Sequence, residues 1–177
     1  LAAARPEPIP VYAEMGSLNP VFVLPGALEE RGEAFAQGLC GSVTLGVGQF
    51  CTHPGLVLGL EGDSLEKFIS AAEEAFSNAE PGTMLNPGIR DAYEAGLGVL
   101  KEAGGVSLLA KSGTAVDAQA TQAGAHVWTT DIDAFVGNDE LSEEIFGPST
   151  LVVKARDKAE LIRAANKLDG HLTATIH

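Results

Sequence analysis

The chain is poor in cysteine, poor in positive charge and without a long apolar run, and each shortage removes a class of protein. Two cysteines, Cys40 and Cys51, stand at unrelated positions in 177 residues. They offer no disulfide framework and no C-x-x-C metal pattern, and His53, His126, His171 and His177 do not cluster at ligand spacing. A reducing, cytoplasmic setting is therefore expected. Lys and Arg total 11 against 24 Asp and Glu, for a formal charge of −13. That balance favours solubility and argues against a polyanionic partner such as nucleic acid. Gly, Pro or charge breaks every apolar run well short of the roughly 20 residues a membrane span needs, and nothing near the start reads as a signal sequence.

What is present is an ordinary globular composition, 45% hydrophobic and 20% charged, sufficient for one domain with a full core. Strand-like segments alternate with helical ones: Ile9 to Ala13, Val21 to Leu24, Gly55 to Leu60, Val106 to Ala110, His126 to Thr129, Thr150 to Lys154 and Leu172 to Ile176. This βα rhythm predicts an α/β fold, a largely parallel open sheet with helices on both faces. The clearest helix is Asp63 to Asn78, with Asp63 or Ser64 as N-cap and Leu65, Phe68, Ile69, Ala72 and Phe76 forming one apolar stripe. Asp157 to Leu168 is a second, with Ala159, Leu161, Ile162 and Ala165 expected inward and Gly170 closing it. Ile89 to Ala103 is a third, and the small residues from Gly113 to Gly124 read equally as loop or frayed helix.

Cys51 is the most informative residue. In Gly46-Val47-Gly48-Gln49-Phe50-Cys51 a Gly-rich backbone lifts one thiol out of an apolar run, as a nucleophile requires. Cys40, in the helix-like Gln37-Gly38-Leu39-Cys40-Gly41-Ser42, is the control and reads as buried filler. Glu14 follows a strand-like segment and precedes turn residues, the place where open α/β sheets hold their sites. A third block, Leu141-Ser142-Glu143-Glu144-Ile145-Phe146-Gly147-Pro148, sets paired carboxylates and an aromatic against a Gly-Pro turn just before a strand.

Glu-x-Gly, then Gly-Gln-x-Cys, then Glu-Glu-Ile-Phe-Gly-Pro, in that order and spacing, closely resembles the catalytic domain of the aldehyde dehydrogenase superfamily, from about Pro10 to the chain end. Asn19-Pro20-Val21-Phe22-Val23-Leu24-Pro25-Gly26-Ala27-Leu28 and Gly48-Gln49-Phe50-Cys51-Thr52 look most like its bacterial branch of 2,5-dioxovalerate (α-ketoglutaric semialdehyde) dehydrogenases and NADP-dependent fatty aldehyde dehydrogenases. The resemblance implies NAD(P)-dependent oxidation of a small aldehyde to a carboxylate through a thiohemiacetal and a thioester on Cys51. It makes Glu14 the general base, activating Cys51, the hydrolytic water or both, a task that calls for shelter from water. Glu144 matches the carboxylate that holds the nicotinamide ribose hydroxyls, and Phe146 the aromatic beside the nicotinamide ring. NADP is favoured slightly over NAD. Gln49 is assigned a structural role, and His53, at a position where members vary, none in catalysis. The commoner Glu-Leu-Gly-Gly-Lys is here Glu14-Met15-Gly16-Ser17-Leu18, which leaves the base intact and changes the turn after it.

On the same resemblance, residues 1–8 are a linker from a cofactor-binding domain outside the chain, and 9–177 are the thiol-bearing domain, truncated at its C-terminus. The isolated piece is expected to be inactive and the whole protein to be a homo-oligomer. Two readings from other classes compete: a cofactor-free Cys-His hydrolase or acyltransferase using Cys51 with His53, His126 or His171, and a non-catalytic interaction module.

Overall fold

The computed structural model describes residues 2–117 and 119–177. Its main sheet has six strands: β1 (Val21–Val23), β2 (Leu56–Leu60), β4 (Ser107–Lys111), β6 (His126–Asp131), β7 (Ser149–Ala155) and β8 (Thr175–Ile176). Their order is β4-β6-β7-β2-β1-β8, parallel throughout except for the β4–β6 pair. Between β2 and β4 lies β3 (Gly82–Thr83), which pairs antiparallel with β5 (Gln122–Ala123) in a separate ribbon.

Both faces of the sheet are covered, as an almost unbroken apolar strand demands. One face receives Val23, Val57, Val127 and Val152, packed under α1 (Pro25–Thr44) and α2 (Asp63–Ser77). The alternate residues Leu56, Leu58, Trp128, Leu151 and Val153 point to the other face, under α3 (Pro87–Glu102), α4 (Ile132–Gly137) and α5 (Lys158–Lys167). The period of two is therefore satisfied on both sides. Helix α2 buries the whole predicted stripe of Leu65, Phe68, Ile69, Ala72 and Phe76. Burying each of its larger side chains stabilises the fold by about 1.5–3 kcal/mol.

Several expectations are corrected. No strand forms over 9–13: Ile9, Val11 and Tyr12 are exposed, Tyr12 by 95%. Pro8 and Pro10 remove two backbone donors there, and among the described residues no strand lies beside this stretch to complete a ladder. The strand foreseen over 172–176 shrinks to Thr175–Ile176. The α2 N-cap is Gly62 at φ 145°, with Asp63 already in the first turn, where its charge suits the helix dipole.

Helix α5 turns Leu161 and Ala164 inward and leaves Ala159, Ile162 and Ala165 exposed. Its N-cap is Asp157, whose side chain accepts a hydrogen bond from the Glu160 N–H. Leu168 in extended geometry ends the helix, so Gly170 supplies no left-handed cap. Gly113 to Gly124 is loop followed by β5; Ala118, within it, lies outside the described residues.

Candidate active site

The parallel order β7-β2-β1-β8 decides which segments meet. Chains entering neighbouring parallel strands arrive at the same sheet edge, so residues before 149, 56, 21 and 175 converge there. These are the stretches that carry Glu144 and Phe146, Cys51 and His53, Ser17 and Asn19, and His171 and Thr173. The site thus forms at the amino ends of the strands. This corrects the expectation that Glu14 sits at the carboxyl end of one: Glu14 is exposed on irregular chain ahead of β1.

Cys51 is exposed and free. It is presented by a turn in which Gly46, Val47 and Gly48 follow one another at φ 55°, 59° and 69°. Two glycines accept this geometry readily, whereas the β-branched Val47 adopts it at a cost of about 1–3 kcal/mol. Its side chain is packed tightly over Gly82 of β3, where a Cβ would collide with it. Gly48 is required for a second reason. A Cβ there would overlap the carbonyl of Gly147 and the nitrogen of Pro148, so the cysteine loop lies flush on the turn that follows Glu144 and Phe146. A Cβ on Gly147 would in turn enter the ring of Tyr93. The Tyr93 hydroxyl stands 2.9 Å from the Gly124 carbonyl and 3.2 Å from that of Pro148, fixing the turn from below.

Two amide side chains brace the loop that carries Cys51. Gln49 donates to the Gly46 carbonyl at 2.9 Å and accepts from the Leu85 N–H at 2.9 Å, the structural role expected of it. Beyond Cys51, the buried Asn19 donates to the Cys51 carbonyl at 3.0 Å and the His53 carbonyl at 2.8 Å. Sequence reasoning took Asn19-Pro20 as turn chemistry and missed Asn19 as a site residue. The available signal was that Asn tolerates left-handed backbone, which Asn19 adopts at φ 48°.

The Glu144 carboxylate is half-buried against Gly16 and Ser17. Burial raises its pKa, the Ser17 backbone N–H lowers it, and the charge of nearby Glu14 raises it again. The fold thereby brings the two motif carboxylates into one electrostatic neighbourhood. Phe146, 38% exposed, leaves part of its ring open to a ligand, while Ile145 beside it packs on Gly96 of α3.

Among the described residues no histidine ring is hydrogen-bonded to the Cys51 thiol. His53 is 3% exposed and burial lowers its pKa to about 4, so it is neutral and a weak base near pH 7. Among the described residues its Nε2 has no hydrogen-bond partner, and it lines a small cavity of about 20 Å³ with Glu144, Leu18 and Ser149. His126 lies beneath the 147–148 turn, its Nδ1 3.1 Å from the Tyr93 hydroxyl. His171 accepts from the Leu18 N–H through Nδ1 at 3.2 Å. An open concavity of about 490 Å³ between α1, Thr52 to Pro54 and Thr173 to His177 is lined by neither Cys51 nor Glu14 and is not the thiol's pocket.

The profile of the aldehyde dehydrogenase family matches residues 2–177. Alpha-ketoglutaric semialdehyde dehydrogenase 2 of Azospirillum brasilense is 47% identical over 176 residues, which is 99% of this chain and 33% of that protein. The alpha-ketoglutaric semialdehyde dehydrogenase of Acinetobacter baylyi is 41% identical over 177 residues, again 99% of this chain and 33% of that protein. Among solved structures, a gamma-glutamyl-gamma-aminobutyraldehyde dehydrogenase from Burkholderia cenocepacia superposes with a TM-score of 0.74 at 24% identity, covering 92% of this chain and 34% of that one. The chain spans about a third of the length of the curated relatives it matches. With an exposed thiol on a left-handed Gly turn, the Glu144 turn seated against it, and a family match along nearly all of its length, the chain belongs to the aldehyde dehydrogenase family.

Proposed function

We propose that this chain is the thiol-bearing part of an NAD(P)-dependent aldehyde dehydrogenase, with Cys51 as nucleophile. The observation that carries the reading is the contact of Gly48 with Gly147 and Pro148, which sets the nucleophile's loop directly on the turn bearing Glu144 and Phe146. The residues fit a nicotinamide nucleoside. A half-buried carboxylate accepts from paired ribose hydroxyls, and a partly exposed ring offers a flat apolar face.

In the chemistry proposed, the Cys51 thiolate attacks the aldehyde carbon and the carbonyl oxygen becomes an oxyanion held in part by the Cys51 backbone N–H. A nicotinamide held by Glu144 and Phe146 would supply the two-electron acceptor that oxidation of the thiohemiacetal to a thioester requires. Glu14 then takes a proton from the water that attacks the thioester carbon, and the Cys51 thiolate leaves as the carboxylic acid departs. Glu14 is open to solvent in this chain, so its shelter is assigned to residues outside it. Residues 1–8 are the link to a cofactor-binding domain and 9–177 the thiol-bearing domain.

The names of the two curated relatives point to α-ketoglutaric semialdehyde as substrate. NADP is the favoured cofactor, the setting is cytoplasmic, in keeping with two free cysteines, and the whole protein is a homo-oligomer. Among the described residues no helix is long and apolar enough to cross a membrane.

The test is nicotinamide reduction by the whole protein, with NAD and NADP offered against short, long-chain and acid-bearing aldehydes. Wild type is expected to reduce the cofactor fastest with the acid-bearing aldehyde, Cys51→Ala to lose at least about 1000-fold in rate, and the 177-residue chain alone to turn over nothing. Equal rates in wild type and Cys51→Ala would remove the thiol from the mechanism.

A further inference from the structure

Asn19 is 2% exposed and its amide reaches the entries of the two strands that flank its own. On one side its Nδ2 donates to the carbonyls of Cys51 at 3.0 Å and His53 at 2.8 Å, on the way into β2. On the other its Oδ1 accepts from the Thr173 N–H at 3.2 Å and the Thr173 hydroxyl at 2.9 Å, on the way into β8. Within its own segment the Ser17 hydroxyl donates to Oδ1 at 2.9 Å and Nδ2 makes a longer bond to the Ser17 carbonyl at 3.3 Å. Asn is suited to this double duty because its two ends have opposite polarity; Asp offers only acceptors and would face two carbonyls with like charge.

The bonds fall at an informative place. The Cys51 carbonyl begins the peptide that leaves the nucleophile, so pinning it fixes ψ of Cys51 and with it the direction in which the side chain leaves the loop. Gln49 holds the loop ahead of Cys51 and Asn19 holds it behind. The same Asn19 is reached from Glu14 through the short exposed stretch ending at the buried Ser17, so the clamp also ties the segment carrying the carboxylate to the loop carrying the thiol.

We propose that Asn19 is a positioning residue for the aldehyde-oxidising reaction, its side-chain amide setting the geometry of the Cys51 peptide; this rests on Cys51 being the nucleophile. A purely conformational role makes a different prediction, since φ 48° at position 19 is met equally well by glycine.

The experiment uses the whole protein with Asn19→Gly and Asn19→Asp, reading amide hydrogen exchange over residues 49–55, kcat and KM for the aldehyde, and the thermal midpoint. Asn19→Gly keeps the backbone conformation and removes the clamp. It is expected to speed exchange over 49–55 by about tenfold and to lower kcat by about 10–100-fold, with KM changed less than about threefold. Asn19→Asp keeps the shape and the acceptor for Thr173 but loses the donors, and should show the same fall in kcat. Wild-type kcat in either variant overturns the proposal, and so does unchanged exchange over 49–55. If the wild-type protein oxidises no aldehyde, the functional reading fails on that result, while the exchange measurement still decides whether Asn19 holds the loop.

Discussion

Cys40 and Cys51 carry the same thiol into opposite surroundings. Cys40 rides on α1 among Leu39, Val43 and Phe68, 8% exposed, and burial pushes its thiol pKa up. Cys51 stands clear of both apolar layers, on a turn of positive φ braced by Gln49 and Asn19. The helix hides its cysteine by regular geometry at no conformational expense. The turn exposes its cysteine by irregular geometry that must be held in place from outside. Reactivity therefore belongs to the loop's fixings and not to the residue type.

The contrast is broken most directly by alkylation of the folded chain with iodoacetamide, followed by mass spectrometry. Cys51 should label at least about 100-fold faster than Cys40, because Cys40 reacts only when α1 lifts from the sheet. Denaturant should abolish the difference. Equal rates in the folded state would mean that the turn does not preform a thiol site.

The second test strikes the fixing itself. Gly48→Ala adds a Cβ that overlaps the backbone of Gly147 and Pro148 and must be carried at φ 69°. Backbone cannot move aside as a flexible side chain can, so the loop and the Glu144 turn must part. A loss of about 3 kcal/mol or more is expected in chemical denaturation of the chain, together with a fall in Cys51 labelling towards that of Cys40. A variant as stable as wild type would show that the two turns are not in obligatory contact.

The motif residues were legible because each combines a reactive group with turn chemistry. Their convergence was only half legible. Alternating segments announced a parallel sheet, but the order β7-β2-β1-β8, which delivers Glu144, Cys51, Asn19 and Thr173 to one edge, lies in pairings between strands far apart in sequence. The helix α2 stripe was readable since a period of 3.6 leaves a local trace, whereas the phase of α5 was misread because alanines carry little apolar signal on either face. Glu14 reads as following a strand because Ile9, Val11 and Tyr12 have strand-like side chains; strand formation also needs a neighbour to bond with, and that is not a property of the segment. Asn19 escaped because its partners, Cys51, His53 and Thr173, are remote in sequence.

A third prediction sharpens the contrast through pH. His53, two residues from Cys51, has its pKa lowered from 6.5 to about 4 by burial. The unfolded chain then binds this proton more readily than the folded one between pH 4 and 6.5. Stability is full above pH 6.5, falls as pH drops through that window and levels off below pH 4, by a total on the order of 3 kcal/mol. His53→Gln removes the titration and should flatten the curve relative to wild type. Glu144, whose pKa is raised, acts in the opposite sense and is present in both proteins. Parallel stability curves for the two proteins would show that His53 is not buried as a neutral group.

The smallest effect completes the comparison on the α1 side. Gly41 adjoins Cys40 in the helix, as Gly48 lies close to Cys51 in the turn, yet a Cβ on Gly41 would meet nothing within 4 Å. Its φ is not positive, so alanine restricts only the unfolded chain and improves helix propensity. Gly41→Ala should stabilise the chain by about 0.5–1 kcal/mol, raising the thermal midpoint by roughly 2 °C, and leave Cys51 labelling unchanged. The same substitution would then have opposite signs beside the two cysteines. If Gly41→Ala destabilised the chain, α1 would have to be packed against something at that position, and the helix could no longer stand as the unconstrained half of the contrast.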